Sequence, residues 1–147
     1  MREENKTIQQ FGLLKISEIM VKDPLYITPN EKISATELLM VRKNIGGLPV
    51  VESNKNKKLI GIITQRDIRL ARFAMSLDKP NTLVSDLMTS EPYIIKESDT
   101  LIDTLKKMFD NNVERIPVVN DKNELIGLVL EKTVLEKLMK YLISDCE

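Results

Sequence analysis

The chain is 147 residues long, 42% hydrophobic and 30% charged, with 22 Lys+Arg against 22 Asp+Glu. That length holds one well-buried domain or two small units sharing a core, and the neutral balance argues against a general nucleic-acid binder, which needs a basic excess to displace counterions. There is no histidine, Cys146 is the single cysteine, and apolar runs stop after a few residues. The commonest general base, an internal disulfide, a cysteine metal cluster and a membrane-spanning helix are therefore not expected, and neither is an enzyme.

Residues 1–15 read as a lead segment. Its charged start, Met1 to Lys6, is followed by no apolar signal region, so a cytoplasmic location is expected. A short helix is expected around Ile8 to Leu14. From Ser17 onward the chain states one plan twice. Ser17-Glu18-Ile19-Met20 recurs as Ser85-Asp86-Leu87-Met88, and Leu48-Pro49-Val50-Val51 as Ile116-Pro117-Val118-Val119. Leu59-Ile60-Gly61-Ile62 recurs as Leu125-Ile126-Gly127-Leu128. The offset is 68 residues from Met20 to Met88 and from Pro49 to Pro117, and 66 from Gly61 to Gly127. A repeat of this kind is one supersecondary unit used twice.

Each copy opens on a short helical turn, Ser17 to Met20 or Ser85 to Met88, with the serine placed to cap it. An extended stretch follows, Leu25-Tyr26-Ile27 or Tyr93-Ile94-Ile95. Amphipathic helices are expected over roughly 31–43 and 99–111, with Ile33, Met40 and Val41 matching Leu101, Met108 and Phe109 on the buried face. A hairpin comes next: Leu48 to Val51 with Leu59 to Ile63, then Ile116 to Val119 with Leu125 to Leu130. Pro49 and Pro117 stand near strand starts, where a missing donor is tolerated. Final helices run from Gln65 to Leu77 and from Glu131 to Ile143. Asp78-Lys79-Pro80-Asn81 is the one clear linker, short enough to force the copies together.

The sharpest local signal is Gly61-Ile62-Ile63-Thr64-Gln65-Arg66-Asp67, where a strand feeds a helix. Glycine permits close approach to the backbone. Thr64 offers a hydroxyl beside the helix-start amides, and the two oxygens of Asp67 suit a ribose diol. Together they describe a nucleotide cradle. Thr-x-x-Asp at a helix start is equally close to a capping box with no ligand. Local residues do not separate the two readings.

The doubled plan, the two hydrophobic-Pro-Val-Val strands and the Gly-x-x-Thr-x-x-Asp phrase resemble a tandem pair of CBS domains, the regulatory modules named after cystathionine beta-synthase. The resemblance covers about residues 16–143. It implies an α+β fold of two βαββα repeats packed as a pseudo-twofold pair. The organisation is then a lead segment 1–15, repeats 16–77 and 83–143, a linker 78–82 and a tail 144–147.

The resemblance also implies an adenosine-ligand site in the cleft between repeats. Thr64 would approach the phosphate or ribose, Asp67 would hold the ribose hydroxyls, and Pro49, Val50 and Ile62 would pack on the adenine. Arg115 and Lys132 resemble basic residues that reach phosphates, against the plain alternative of solvated charge. Thr28 resembles an entry-strand contact, or is simply a turn residue. The second copy departs from the pattern, with Leu130 in place of the threonine and Thr133 in place of the aspartate. One good site per chain is therefore expected. Arg66, Arg69 and Arg72 form a stripe read as a solvated face.

The apolar face of the last helix (Val134, Leu135, Leu138, Met139, Leu142) fits core packing or a dimer interface, and the resemblance to a family that pairs its modules implies a homodimer. Cys146 reads as an inert residue of the tail. The expected function is a sensor of AMP, ADP, ATP or S-adenosylmethionine type ligands that signals in trans to an unidentified effector protein. The alternative is a ligand-free dimerisation or protein-interaction module.

Overall fold

The computed structural model describes residues 8–75 and 81–145. Its elements in chain order are α1 (residues 8–12), β1 (Val21–Lys22), α2 (Ile33–Lys43), β2 (Gly47–Val51), β3 (Leu59–Thr64) and α3 (Gln65–Met75). They continue as α4 (Val84–Leu87), β4 (Thr89–Ser90), α5 (Leu101–Asp110), β5 (Arg115–Val119), β6 (Leu125–Leu130) and α6 (Glu131–Asp145). The fold is mixed helix and sheet, with one three-stranded sheet for each repeat, ordered β2-β3-β4 and β1-β6-β5. Part of the expected linker (Asp78, Lys79, Pro80), the end of the expected first-repeat helix (Ser76, Leu77) and Cys146 lie outside the described residues.

Contacts gather the chain into two compact units that cut across the sequence repeats. One unit takes Leu25–Pro92 and Lys122–Leu125. The other takes the chain up to Pro24, Tyr93–Asp121 and the chain from Ile126. The opening turn of each repeat thus joins the sheet of the other repeat's hairpin. β4 pairs antiparallel with β3 through Gly61↔Ser90 and Ile62↔Thr89, and β1 pairs with β6 through Val21↔Leu128 and Lys22↔Gly127.

The recurring methionine and glycine are partners in this arrangement. A Cβ at Gly61 would lie 2.8 Å from Met88 Sδ and 2.9 Å from the Thr89 carbonyl oxygen. A Cβ at Gly127 would collide with the Met20 side chain. The close approach that the glycines permit is therefore made by the chain itself, not by a ligand.

In the first of these units, Ile27, Ile33, Met40, Leu48, Val50, Ile63, Ile68 and Val84 make the core. In the other, Phe11, Ile16, Ile95, Leu101, Met108, Ile116, Val118 and Val129 do the same, with the Phe11 and Tyr141 rings 5.2 Å apart. The extended stretch before each first long helix is shorter than the sequence predicts. It is a one-residue parallel bridge, Ile27↔Val50 or Ile95↔Val118. The Ile27 amide donates to the Pro49 carbonyl (3.0 Å) and the Val51 amide to the Ile27 carbonyl (2.9 Å). The next rung would need an N–H on residue 49, and proline has none. Pro117 ends the other ladder in the same way, after bonds from Ile95 and Val119.

Two further expectations are corrected. Ser17 and Ser85 do not cap. Ser17 lies inside a 3₁₀ turn, Ile16–Glu18, and Ser85 inside α4. The acid at the third position caps instead: the Lys15 amide donates to Glu18 Oε2 (3.1 Å) and the Leu83 amide to Asp86 Oδ2 (2.9 Å). A carboxylate accepts more strongly than a hydroxyl and gains from the helix dipole.

Val41 and Phe109 are 72% and 73% exposed rather than buried. Each sits one residue, about 100° of turn, past the buried Met40 or Met108. The buried stripes are Ile33, Thr36, Met40 and Leu101, Thr104, Met108. The two buried threonines return their hydroxyls to the carbonyls of Lys32 (3.0 Å) and Thr100 (2.9 Å), so neither leaves an unpaired donor in the core.

Candidate functional site

Strand parity sorts the candidates of the first repeat. In the β2–β3 register Leu48 faces Ile63, Pro49 faces Ile62, Val50 faces Gly61 and Gly47 faces Thr64. Side chains alternate between faces. Leu48, Val50 and Ile63 therefore point into the core, and Val50 is 0% exposed. Pro49, Ile62 and Thr64 share the opposite face. Ile62 and Thr64 are half-buried there, and Pro49 is buried. Of the three residues expected against an adenine, Pro49 and Ile62 stand together on Thr64's face, while Val50 fills the core behind them.

Thr64 ends β3, and Asp67 lies in the first turn of α3. Asp67 Oδ2 accepts from both the Thr64 amide and the Thr64 hydroxyl, each at 2.9 Å. The Asp67 amide donates to Thr64 Oγ1 at 3.1 Å. This is a closed capping box. The Gln65 amide is also engaged, with the Gly46 carbonyl (2.9 Å). The amides of Thr64, Gln65 and Asp67 are thus committed to the protein, where the sequence led us to expect free N–H groups for an anion. What remains open is chemistry at Asp67 Oδ1, which receives the Thr89 hydroxyl at 3.4 Å. The site offers an apolar patch, a carboxylate oxygen and a hydroxyl, a set suited to a sugar diol and a flat base more than to a bare phosphate.

Thr89 escaped the sequence reading because it lies 22 residues from Asp67. The available signal was the contrast between Met88-Thr89 and its counterpart Met20-Val21. Thr28, half-buried, opens a turn in which its carbonyl accepts from the Glu31 amide at 3.2 Å. It directly follows the Ile27 bridge to β2.

Arg115 and Lys132 belong to the other compact unit. Arg115 is half-buried, with a guanidinium nitrogen 3.9 Å from Glu114, and Lys132 is exposed in the first turn of α6. There the Thr133 hydroxyl bonds to the Leu130 backbone, donating to its carbonyl (2.8 Å) and accepting from its amide (3.3 Å). That box therefore holds no carboxylate.

In the arginine stripe, Arg66 and Arg69 are exposed, and Arg72 pairs with Glu37 on α2. Glu37 raises the Arg72 pKa above its ordinary value, through the hydrogen bond first and the charge second. On α6, Val134 is buried and Leu138 half-buried, while Leu135, Met139 and Leu142 are exposed. Among the described residues no helix is long and apolar enough to cross a membrane.

Known proteins share this architecture. The enzyme inosine-5'-monophosphate dehydrogenase of Streptococcus pyogenes serotype M3 is 34% identical over 123 residues, 83% of this chain and 24% of that one. Its namesake from Methanocaldococcus jannaschii is 31% identical over 137 residues, 93% of this chain and 26% of that one. The chain spans about a quarter of the length of these curated relatives.

Among solved structures, CBSX2 in complex with AMP is similar with a TM-score of 0.77 at 23% identity, covering 86% of this chain and 96% of that one. CBSX2 is a CBS-pair protein from Arabidopsis thaliana. The CBS domain pair of protein MJ0100, in complex with 5-methylthioadenosine and S-adenosyl-L-methionine, is similar with a TM-score of 0.74 at 26% identity, covering 85% and 99%. The CBS domain family itself matches residues 16–73 and 84–140, one segment for each copy of the repeat. A doubled hairpin-and-helix plan, with the family's own match falling on both copies, establishes that this chain belongs to the CBS domain family.

Proposed function

We propose that the chain is a regulatory module that binds an adenosine-containing ligand through its first repeat. The observation that carries this reading is the gathering of Pro49, Ile62 and Thr64 on one sheet face beside an Asp67 oxygen with acceptor capacity to spare. The ligands of MJ0100 and CBSX2, S-adenosyl-L-methionine, 5-methylthioadenosine and AMP, share an adenosine core and add support. Thr64 fixes the Asp67 carboxylate, Asp67 takes the sugar, Pro49 and Ile62 take the base, and Thr28 borders it. Arg115 and Lys132, the residues expected to set phosphate preference, belong to the other compact unit, and substituting each in turn tests whether either affects the ligand. The second repeat contributes no comparable site.

Regulation follows from linkage. A ligand shifts the module only as far as it binds one arrangement more tightly than another, and a separate effector protein reads the change. The module works as a cytoplasmic homodimer without catalysis of its own. Calorimetry with AMP, ADP, ATP and S-adenosylmethionine tests the reading. We expect one of the four to bind and Asp67→Ala to abolish its binding. Wild-type affinity in Asp67→Ala, or no binding by any of the four, would refute the site.

A second reading is a ligand-free interaction module. The closed Thr64–Asp67 box and the exposed Leu135, Met139 and Leu142 favour it. Native mass spectrometry separates the two: an adenosine compound that co-purifies argues for the sensor, and a ligand-free dimer argues for the interaction module.

A further inference from the structure

The two oxygens of Asp67 are unequal. Oδ2 accepts twice at 2.9 Å from Thr64, which fills its lone pairs. Oδ1 receives the Thr89 hydroxyl at 3.4 Å, outside the usual O–H···O range of ~2.5–3.0 Å. Thr89 lies directly opposite Ile62 in the β3–β4 register, and Ile62 opposite Pro49 in the β2–β3 register. Pro49, Ile62 and Thr89 therefore form one row across the three-stranded sheet, on the face that also carries Thr64. Thr89 is exposed and Asp67 half-buried, so the pair opens at the surface of that face.

We infer that Thr89 is a specificity-determining residue of this site, its hydroxyl and Asp67 Oδ1 together taking one hydroxyl of a ribose. The inference rests on the adenosine-ligand reading above. A sugar oxygen about 2.8 Å from each atom closes a triangle on their 3.4 Å edge. It donates to the carboxylate and accepts from the threonine. A deoxy sugar carries only a hydrogen there and leaves Thr89 and Asp67 with their own long 3.4 Å contact, which is the arrangement that rejects an analogue lacking a hydroxyl. The equivalent place in the other sheet holds Val21, opposite Leu128, and has no hydroxyl to offer.

The test measures AMP, 2′-deoxy-AMP and 3′-deoxy-AMP by calorimetry on wild type, Thr89→Val, Thr89→Ser and Asp67→Ala, with thermal melts to establish that each variant folds. Wild type should prefer AMP over one of the deoxy analogues about tenfold. Thr89→Val should weaken AMP about five- to tenfold and leave that analogue unchanged, so the preference collapses. Thr89→Ser should restore it. Thr89→Val with the wild-type preference, or with all three nucleotides weakened equally, overturns the role of Thr89 while leaving the site intact. A wild type that binds none of the three overturns this inference, and the adenosine reading falls with it only if ADP, ATP and S-adenosylmethionine also fail to bind.

Discussion

Replacing Gly61 and Gly127 separately by alanine perturbs the same step of the two repeats, and the surroundings predict unequal outcomes. Neither glycine has positive φ, so alanine is compatible with both backbones and gains about 0.5–1 kcal/mol of strand propensity and chain entropy. At Gly61 the new methyl meets Met88 Sδ at 2.8 Å and the Thr89 carbonyl at 2.9 Å. The methionine can turn away. The carbonyl belongs to β4 and moves only if β4 leaves β3. At Gly127 all three nearest atoms belong to the Met20 side chain, with Cβ at 3.2 Å, so repacking is confined to one flexible residue. Overpacking costs about 1–3 kcal/mol.

We therefore expect Gly61→Ala to lose about 2 kcal/mol, a fall in Tm of about 7 °C for a chain of this size, and Gly127→Ala to lose at most about 1 kcal/mol. Urea unfolding followed by circular dichroism, with calorimetric melts, measures both. Double-mutant cycles complete the test. Met20→Ala should cancel the cost at Gly127, while Met88→Ala should recover only part of the cost at Gly61. An equal or larger loss at Gly127, or full rescue of Gly61→Ala by Met88→Ala, would refute the argument that backbone, not side chain, sets the penalty.

Three other outcomes follow from the same geometry. Thr64→Ala should lose about 1 kcal/mol of stability without any ligand, because it removes the acceptor of the Asp67 amide; chemical denaturation measures it. Val41→Ser and Phe109→Ser should shift stability by no more than about 0.5 kcal/mol, whereas Met40→Ala and Met108→Ala, 1% and 2% exposed, should each lose about 2–5 kcal/mol; thermal melts distinguish them. The double change Leu130→Thr with Thr133→Asp should rebuild the second motif and raise AMP stoichiometry from one to two per chain in calorimetry, and unchanged stoichiometry would show that the motif alone does not make a site.

The hairpins, the long helices and the strand-to-helix junction at Thr64 were legible because period-two and period-3.6 patterns and paired prolines report local geometry. The buried faces of α2 and α5 were read one residue too wide at Val41 and Phe109, since an apolar residue at the stripe's edge looks like a core residue until its neighbours are known. The capping role of Glu18 and Asp86 was hidden behind the serines, a better-known cap. The partnership of Met88 with Gly61, and of Thr89 with Asp67, was invisible for a different reason. It depends on which hairpin receives the short strand after each methionine, and no local pattern encodes that choice. Val50 stands one residue from Pro49 and so faces the other way, into the core, an alternation that the strand pattern itself carries.

The crossed membership of the short strands has a consequence for how the molecule is made. Val21 and Lys22 pair with residues about a hundred positions downstream, so on the ribosome β1 waits, edge bare, until β6 has emerged. β4 by contrast follows β3 closely and can dock at once. Ring closure over such a span is entropically slow. The half that contains Thr64 and Asp67 should therefore mature early during translation, and the half that closes on the N-terminal strand should be the last to become protease-resistant.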